Sequence, residues 1–169
     1  MKASLSGVTV LALEQAVAVP FATRQLADLG ARVIKVERPG EGDFARHYDA
    51  RVKGLSSYFA WLNRSKESIA LDLKHSKAQS IVKELAASAD VVVQNLSPGA
   101  TDRLGLSSAQ LREDNPQLIT VDLTGYGRGG PLEDRKAYDL LIQAEAGLLS
   151  VTGSASEMVR AGISVADIA

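Results

Sequence analysis

Five short apolar runs punctuate the chain, and the stretches between them carry apolar residues at helical spacing. "VTVLAL" (8–13), "RVIKVER" (32–38), "ESIALDL" (67–73), "DVVVQN" (90–95) and "LITVDL" (118–123) read as strands. After the first run, "PFATRQLADLG" predicts a helix with Pro20 in its first turn, Gly30 at its stop and Ala22, Leu26 and Leu29 on its apolar face. "SKAQSIVKELAASA" (76–89) predicts a second, with Ser76 as N-cap and Ile81, Val82 and Leu85 as its buried stripe. "SSAQLREDN" is a short helix opening on serines. "KAYDLLIQAEAGLL" (136–149) is a longer one, with Tyr138, Ile142, Glu145 and Leu149 on one face and Asp139, Gln143 and Ala146 on the next. Apolar strands alternating with helices predict an α/β fold: a Rossmann-like, mostly parallel sheet with helices on both faces.

Three polar segments interrupt this alternation: 38–57, 97–105 ("SPGATDRLG") and 125–137 ("GYGRGGPLEDRKA"). Loops of that length in a compact fold are more often functional or disordered than idle. The 169 residues suffice for one domain with a real core, and the net charge of −1 gives no broad field for nucleic acid or an anionic membrane. Without cysteine the chain has no disulfide, thiolate metal site or cysteine nucleophile, and His47 and His75 lack metal-ligand spacing. "VTVLAL" is too short to span a bilayer and no signal-peptide order is visible, so the chain reads as cytoplasmic, with no membrane partner.

Ligands of open α/β sheets bind beyond the carboxyl ends of the strands, which makes the residues following each strand the ones to question. After the first strand comes "EQAVAVP", with none of the glycines that let a pyrophosphate approach the backbone. Glu37 nevertheless stands where a ribose-binding acid would lie. Arg38, Lys74 and Arg103 follow three strand ends, and their common address points to a phosphate site. "GYGRGGP" holds four glycines in seven positions and suits either a mobile lid or a pair of tight turns. Asp139 lies in a first helical turn, where the helix dipole favours a carboxylate. Asp167 follows the strand-like "ISVA" and, by pattern alone, is the N-cap of a further helix.

Together, "SGVTVLAL", "LADLGARVIKVERPGEGDFAR", "YFAWLNRSKESIALDLK", "ADVVVQNLSPGATDRLGL", "ITVDLTGYGRGGP" and "YDLLIQAEAGL" resemble the family III CoA transferases of the CaiB/BaiF type, from about residue 6 to the last residue. The resemblance implies a large α/β domain, a smaller second domain and an interlocked homodimer. It makes residues 1–169 the N-terminal part of the large domain, the rest of the enzyme being absent from this chain. It implies a catalytic aspartate in a G-x-x-x-x-D segment, here "GISVAD" with Asp167. By the same matching, Tyr138 is an active-site tyrosine and Asp139 an acid beside the reacting aspartate. Gln15, Ala16, Arg38, Leu71, Lys74, Asn95, Arg103 and Lys136 hold coenzyme A, and Tyr58 lines the same pocket. Val17 stands where formate- and oxalate-handling members carry a glutamine. No cofactor is permanently bound: coenzyme A, as acyl-CoA, is a substrate alongside a carboxylic acid. Two alternatives accompany this reading. One is an acyl-CoA racemase, a branch that places a His-Asp pair where this chain has Tyr138 and Asp139. The other is a truncated, non-catalytic fragment that binds coenzyme A.

Overall fold

The computed structural model describes residues 3–169, and the chain forms two compact units, one ending at Leu123 and one spanning Thr124–Ala169. The first contains β1 (Thr9–Leu13), α1 (Ala18–Asp28), β2 (Arg32–Glu37), α2 (Ser57–Asn63), β3 (Glu67–Ala70), α3 (Ser76–Ala87), β4 (Val91–Gln94), α4 (Ala100–Arg103), α5 (Ser108–Asp114) and β5 (Ile119–Asp122). A 3-10 helix spans Phe44–His47. The five strands pair in parallel in the order β3-β2-β1-β4-β5, with Leu11 level with Ile34 on one side and Val92 on the other. The fold is α/β, and the strand order reverses between β1 and β4, where such sheets open a crevice.

Alternation along the strands sorts the core into two layers. Val10, Ala12, Val33 and Val93 face Val19 and Ala27 of α1. Leu11, Leu13, Ile34, Val36 and Val92 face Val82 and Ala86 of α3 and Leu111 of α5. All five sequence-derived strands form, each at most three residues shorter than its apolar run. The outer two are not buried throughout: β3 is mostly exposed, and β5 leaves Ile119 and Val121 at the surface.

Three helical details depart from the pattern reading. The buried face of α1 is Val19, Pro20, Thr23 and Ala27, whereas Ala22 and Leu29 are exposed. The helix is turned because Thr23 satisfies a buried carboxylate beneath it. α3 is N-capped at His75, without a side-chain bond, so Ser76 is its first helical residue. The "SSAQLREDN" helix, α5, is stopped at its start by a capping box: Ser107 accepts from Gln110, whose side chain returns to the Ser107 backbone. The long polar segments also carry elements of their own: the 3-10 helix and the start of α2 fall in the first, α4 in the second.

The second unit contains α6 (Asp139–Glu145), α7 (Leu148–Val151), the hairpin β6 (Gly153–Ser154) and β7 (Glu157–Met158), and α8 (Val165–Ile168). The expected 136–149 helix is two helices, because Gly147 takes φ +79 and ends the first. The "ISVA" segment is not a strand. Ser164 is the N-cap position of α8, and Asp167 lies inside that helix rather than capping it.

Candidate active site: a cation-rimmed pocket and a carboxylate pair

A cavity of about 300 Å³ opens in the first unit beyond the carboxyl ends of β1, β2 and β3. Leu13, Val36, Leu71, Leu73, Leu96 and Leu104 give it an apolar lining, and Arg38, Lys74 and Arg103 bring three cations to it. None of the three is locked away. Arg38 is more than half exposed and pairs with the exposed Glu41 at 3.6 Å. Lys74 sits after a turn fixed by the Asp72 carboxylate, which accepts from the Lys74 backbone N–H at 3.1 Å. Arg103 folds back over Gly99, where a Cβ would stand 2.8 Å from its Nη1, and donates to the Pro98 carbonyl. Only glycine at 99 leaves the guanidinium that position, and the φ of +68 there asks for glycine as well. An apolar slot rimmed by available cations can take a flat aromatic group with phosphates attached.

The wall after β1 is held by paired backbone contacts. Asn95 receives the Gln15 N–H at 2.9 Å and donates its own amide to the Gln15 carbonyl at 2.9 Å. Ala16 adopts φ +64, unusual for alanine, and its N–H donates to Asp43 at 3.1 Å. Behind this wall lies a buried charge network. Lys35 Nζ meets Asp43 at 2.7 Å and Glu14 at 3.3 Å, and Lys66 Nζ meets Glu14 at 2.7 Å. These four side chains are almost wholly enclosed, and Thr23 adds a hydroxyl to Glu14 at 2.6 Å. Burial pulls the Lys66 ammonium down to about 8, against the opposing pull of Glu14. Two carboxylates facing two ammonium groups neutralise one another, so none is stranded in the interior.

Glu37 is spent in the same way. Arg46 clasps it through two bonds of 2.8 and 2.7 Å, Ser68 donates at 2.6 Å and the Asp43 N–H at 3.0 Å. Burial would raise this carboxyl, yet the donors from Arg46, Ser68 and Asp43 together hold it down at about 2. The Arg46 guanidinium in turn lies 3.7 Å over the Phe59 ring.

The second unit carries the paired acids. Asp139 opens α6, and its Oδ1 accepts the Ala166 N–H at 2.8 Å, so it caps the helix that contains Asp167. Its Oδ2 accepts from Gln143 at 2.7 Å. Asp167 is half-buried, and burial first, then the Asp139 charge, pushes its carboxyl up to about 6. A carboxylate of that kind is ionised at neutral pH yet more basic than an exposed one, which suits a nucleophile.

Of the expected coenzyme residues, Gln15, Arg38, Leu71, Lys74 and Arg103 line one cavity. Ala16 and Asn95 shape the wall that presents Gln15. Lys136, Tyr138, Asp139 and Asp167 belong to the second unit, with Tyr138 60% exposed. Tyr58 packs edge-on between Tyr48 and Trp61, and Val17 is buried at the start of α1. Pattern reading passed over Glu14, Lys35, Asp43 and Lys66, and put Gln143 on the face of Asp139 without giving it a role. A lysine inside the apolar run "RVIKVER" and a glutamine inside "DLLIQAE" were the available signals.

Residues 5–169 match the family model for CoA-transferase family III. The chain is 44% identical over 167 residues to human succinyl-CoA:glutarate CoA-transferase, a match covering 98% of this chain and 38% of that protein. It is 43% identical over 152 residues to acetyl-CoA:oxalate CoA-transferase of Acetobacter aceti, covering 90% of this chain and 39% of that one. Among solved structures, a CAIB/BAIF family protein from Brucella suis superposes with a TM-score of 0.92 at 38% identity, over 99% of this chain and 46% of that one. The chain thus spans less than half the length of the relatives it matches.

Proposed function

The chain belongs to CoA-transferase family III, and on that premise we propose that the protein carrying it moves coenzyme A between carboxylic acids through a covalent intermediate on Asp167. The observation that supports this most is the pairing of Asp139 with the Asp167 helix: a half-buried carboxyl, raised to about 6, sits in a short helix whose first turn a second acid grips through the Ala166 N–H.

The reaction proceeds by acyl exchange. An Asp167 carboxylate oxygen attacks the thioester carbonyl of the donor acyl-CoA, and the C–S bond breaks. This leaves a mixed anhydride and the coenzyme A thiolate. The thiolate then attacks the aspartyl carbonyl and expels the donor acid as its carboxylate, giving an aspartyl-CoA thioester. The acceptor carboxylate attacks that thioester, releasing thiolate and forming a second anhydride. Thiolate attack on the acceptor's carbonyl gives the new acyl-CoA and restores Asp167. Every intermediate is an activated acyl group, so the exchange consumes no nucleotide triphosphate. Arg38, Lys74 and Arg103 hold the phosphates of coenzyme A, Leu71 and its apolar neighbours the base, and Gln15, Ala16 and Lys136 the remainder of the cofactor. Asn95 sets Gln15, and Tyr138 lies against the reacting groups.

By this reading residues 1–169 are the N-terminal part of the large domain of a cytoplasmic enzyme that works as an interlocked homodimer. Incubating the protein as its gene encodes it with succinyl-CoA and glutarate, or acetyl-CoA and oxalate, and quenching with hydroxylamine tests the mechanism. A hydroxamate confined to Asp167 is expected. An unmodified Asp167 in a protein that binds coenzyme A rejects it, and loss of α-deuterium from an acyl-CoA without acceptor acid establishes racemisation instead.

A further inference from the structure

Gln143 is the most enclosed side chain of the second unit: 1% of it is exposed, on a helix whose Leu140 and Leu141 are each 47% exposed. An amide in that position must find partners for its hydrogen-bonding groups or cost free energy. It finds three. Nε2 donates to Asp139 Oδ2 at 2.7 Å and to the Ile163 carbonyl at 3.4 Å, and Oε1 accepts the Ala161 N–H at 3.0 Å. The segment so bound lies 18 to 20 positions further along the chain and leads directly into α8.

Three hydrogen bonds tie residues 161–166 to α6, and each ends on Gln143 or Asp139. The two act together. Gln143 holds one oxygen of Asp139, which leaves the other aimed at the Ala166 N–H. That N–H lies in the first turn of a four-residue helix whose own N-cap, Ser164, makes no side-chain bond. A helix of one turn has almost no intrinsic stability, so its position is set by what grips its start. We propose that Gln143 is a positioning residue for Asp167: it fixes the 161–166 segment and orients Asp139, and so places the nucleophile. The proposal rests on the reading of Asp167 as nucleophile.

An apolar side chain of similar length separates this role from a general one in folding. Gln143→Met removes all three bonds and keeps the volume. Gln143→Glu keeps an acceptor for Ala161 but sets a carboxylate against Asp139. Both are made in the protein as its gene encodes it. Each is assayed with succinyl-CoA for the rate of Asp167 adduct formation per folded molecule, the KM for succinyl-CoA, and amide hydrogen exchange. The expected result for Gln143→Met is a fall of about 10²-fold in adduct rate, the scale of a nucleophile misplaced by roughly an ångström, with KM moved less than about twofold. The Ala161 and Ala166 amides exchange faster, while those of β1 and β4 do not. An adduct rate per folded molecule equal to wild type in either variant overturns the proposal. So does the unfolding of both variants, which would make Gln143 a folding residue. A wild-type protein that forms no Asp167 adduct overturns the transferase reading, and this assignment falls with it.

Discussion

The two units secure their chemistry by opposite means. The sheet unit fixes its pocket wall from behind with four buried charges, Glu14, Lys35, Asp43 and Lys66, on the face of the sheet that α1 covers. The second unit has little interior. Val151 and Met158 are largely exposed, and one enclosed glutamine does for the carboxylate pair what a core does elsewhere. In the sheet unit, binding geometry and stability are one property. In the second unit, the proposed nucleophile is separable from the fold.

Substitutions should expose that difference. Asp167→Asn is expected to lower transfer by about 10³-fold or more, as removal of a nucleophile does, while the urea midpoint of the protein stays unchanged. Lys35→Met works the other way. It leaves Asp43 and Glu14 short of a buried partner and should cost about 3–5 kcal/mol in urea unfolding, with coenzyme A binding lost alongside.

Acid titration sharpens the same contrast. Asp167 must be ionised to attack, and its carboxyl is raised to about 6, so the adduct rate should fall as pH drops through that value. Asp139→Asn removes the second cause of the rise and should move this limb to lower pH. Glu37 behaves in the opposite sense. Its folded value, about 2, lies below the ordinary 4.5, so its stabilising contribution is complete above 4.5 and is lost only as pH falls from there towards 2. At a pH just below 5, chemistry should be largely lost with the Glu37 contribution to folding still present, read by activity and urea midpoints on the same samples. The smallest effect is expected at Ala16. Glycine adopts its left-handed φ without strain, so Ala16→Gly should raise the urea stability by about 1 kcal/mol.

The architecture was legible because strand patterning is local: five apolar runs became the five parallel strands, and the serine-led "SSAQLREDN" became α5, with Ser107 at its N-cap. Of the candidate site, Arg38, Lys74 and Arg103, which follow β2, β3 and β4, could be named from topology, since a parallel sheet sends those ends to one edge, whereas Gln15 and Ala16 after β1 came from likeness to a family. What escaped was long-range pairing of polar groups. Lys35 in a strand and Thr23 in a helix look like surface positions by period, and only partners 8 to 21 residues away make them interior. The turned face of α1 has that origin. Gln143 belongs partly to the same class: Asp139 is one turn away on its own helix, but Ala161 and Ile163 lie beyond a helix break at Gly147 and a hairpin that periodicity does not reveal. The role assigned to Asp167 came from likeness to a family, as its local pattern suggested only a helix cap.

The saturated carboxylate of Glu37 carries a lesson for redesign. A ribose diol arriving at the end of β2 would meet an acid with no acceptor left to offer, since a carboxylate has about four places for a donor and four donors occupy them. Grafting a glycine-rich turn after β1 would therefore not yield a dinucleotide enzyme from this scaffold. The Arg46 clasp and the Ser68 hydroxyl would have to be dismantled first, and with them the tether that joins the 3-10 helix to the sheet.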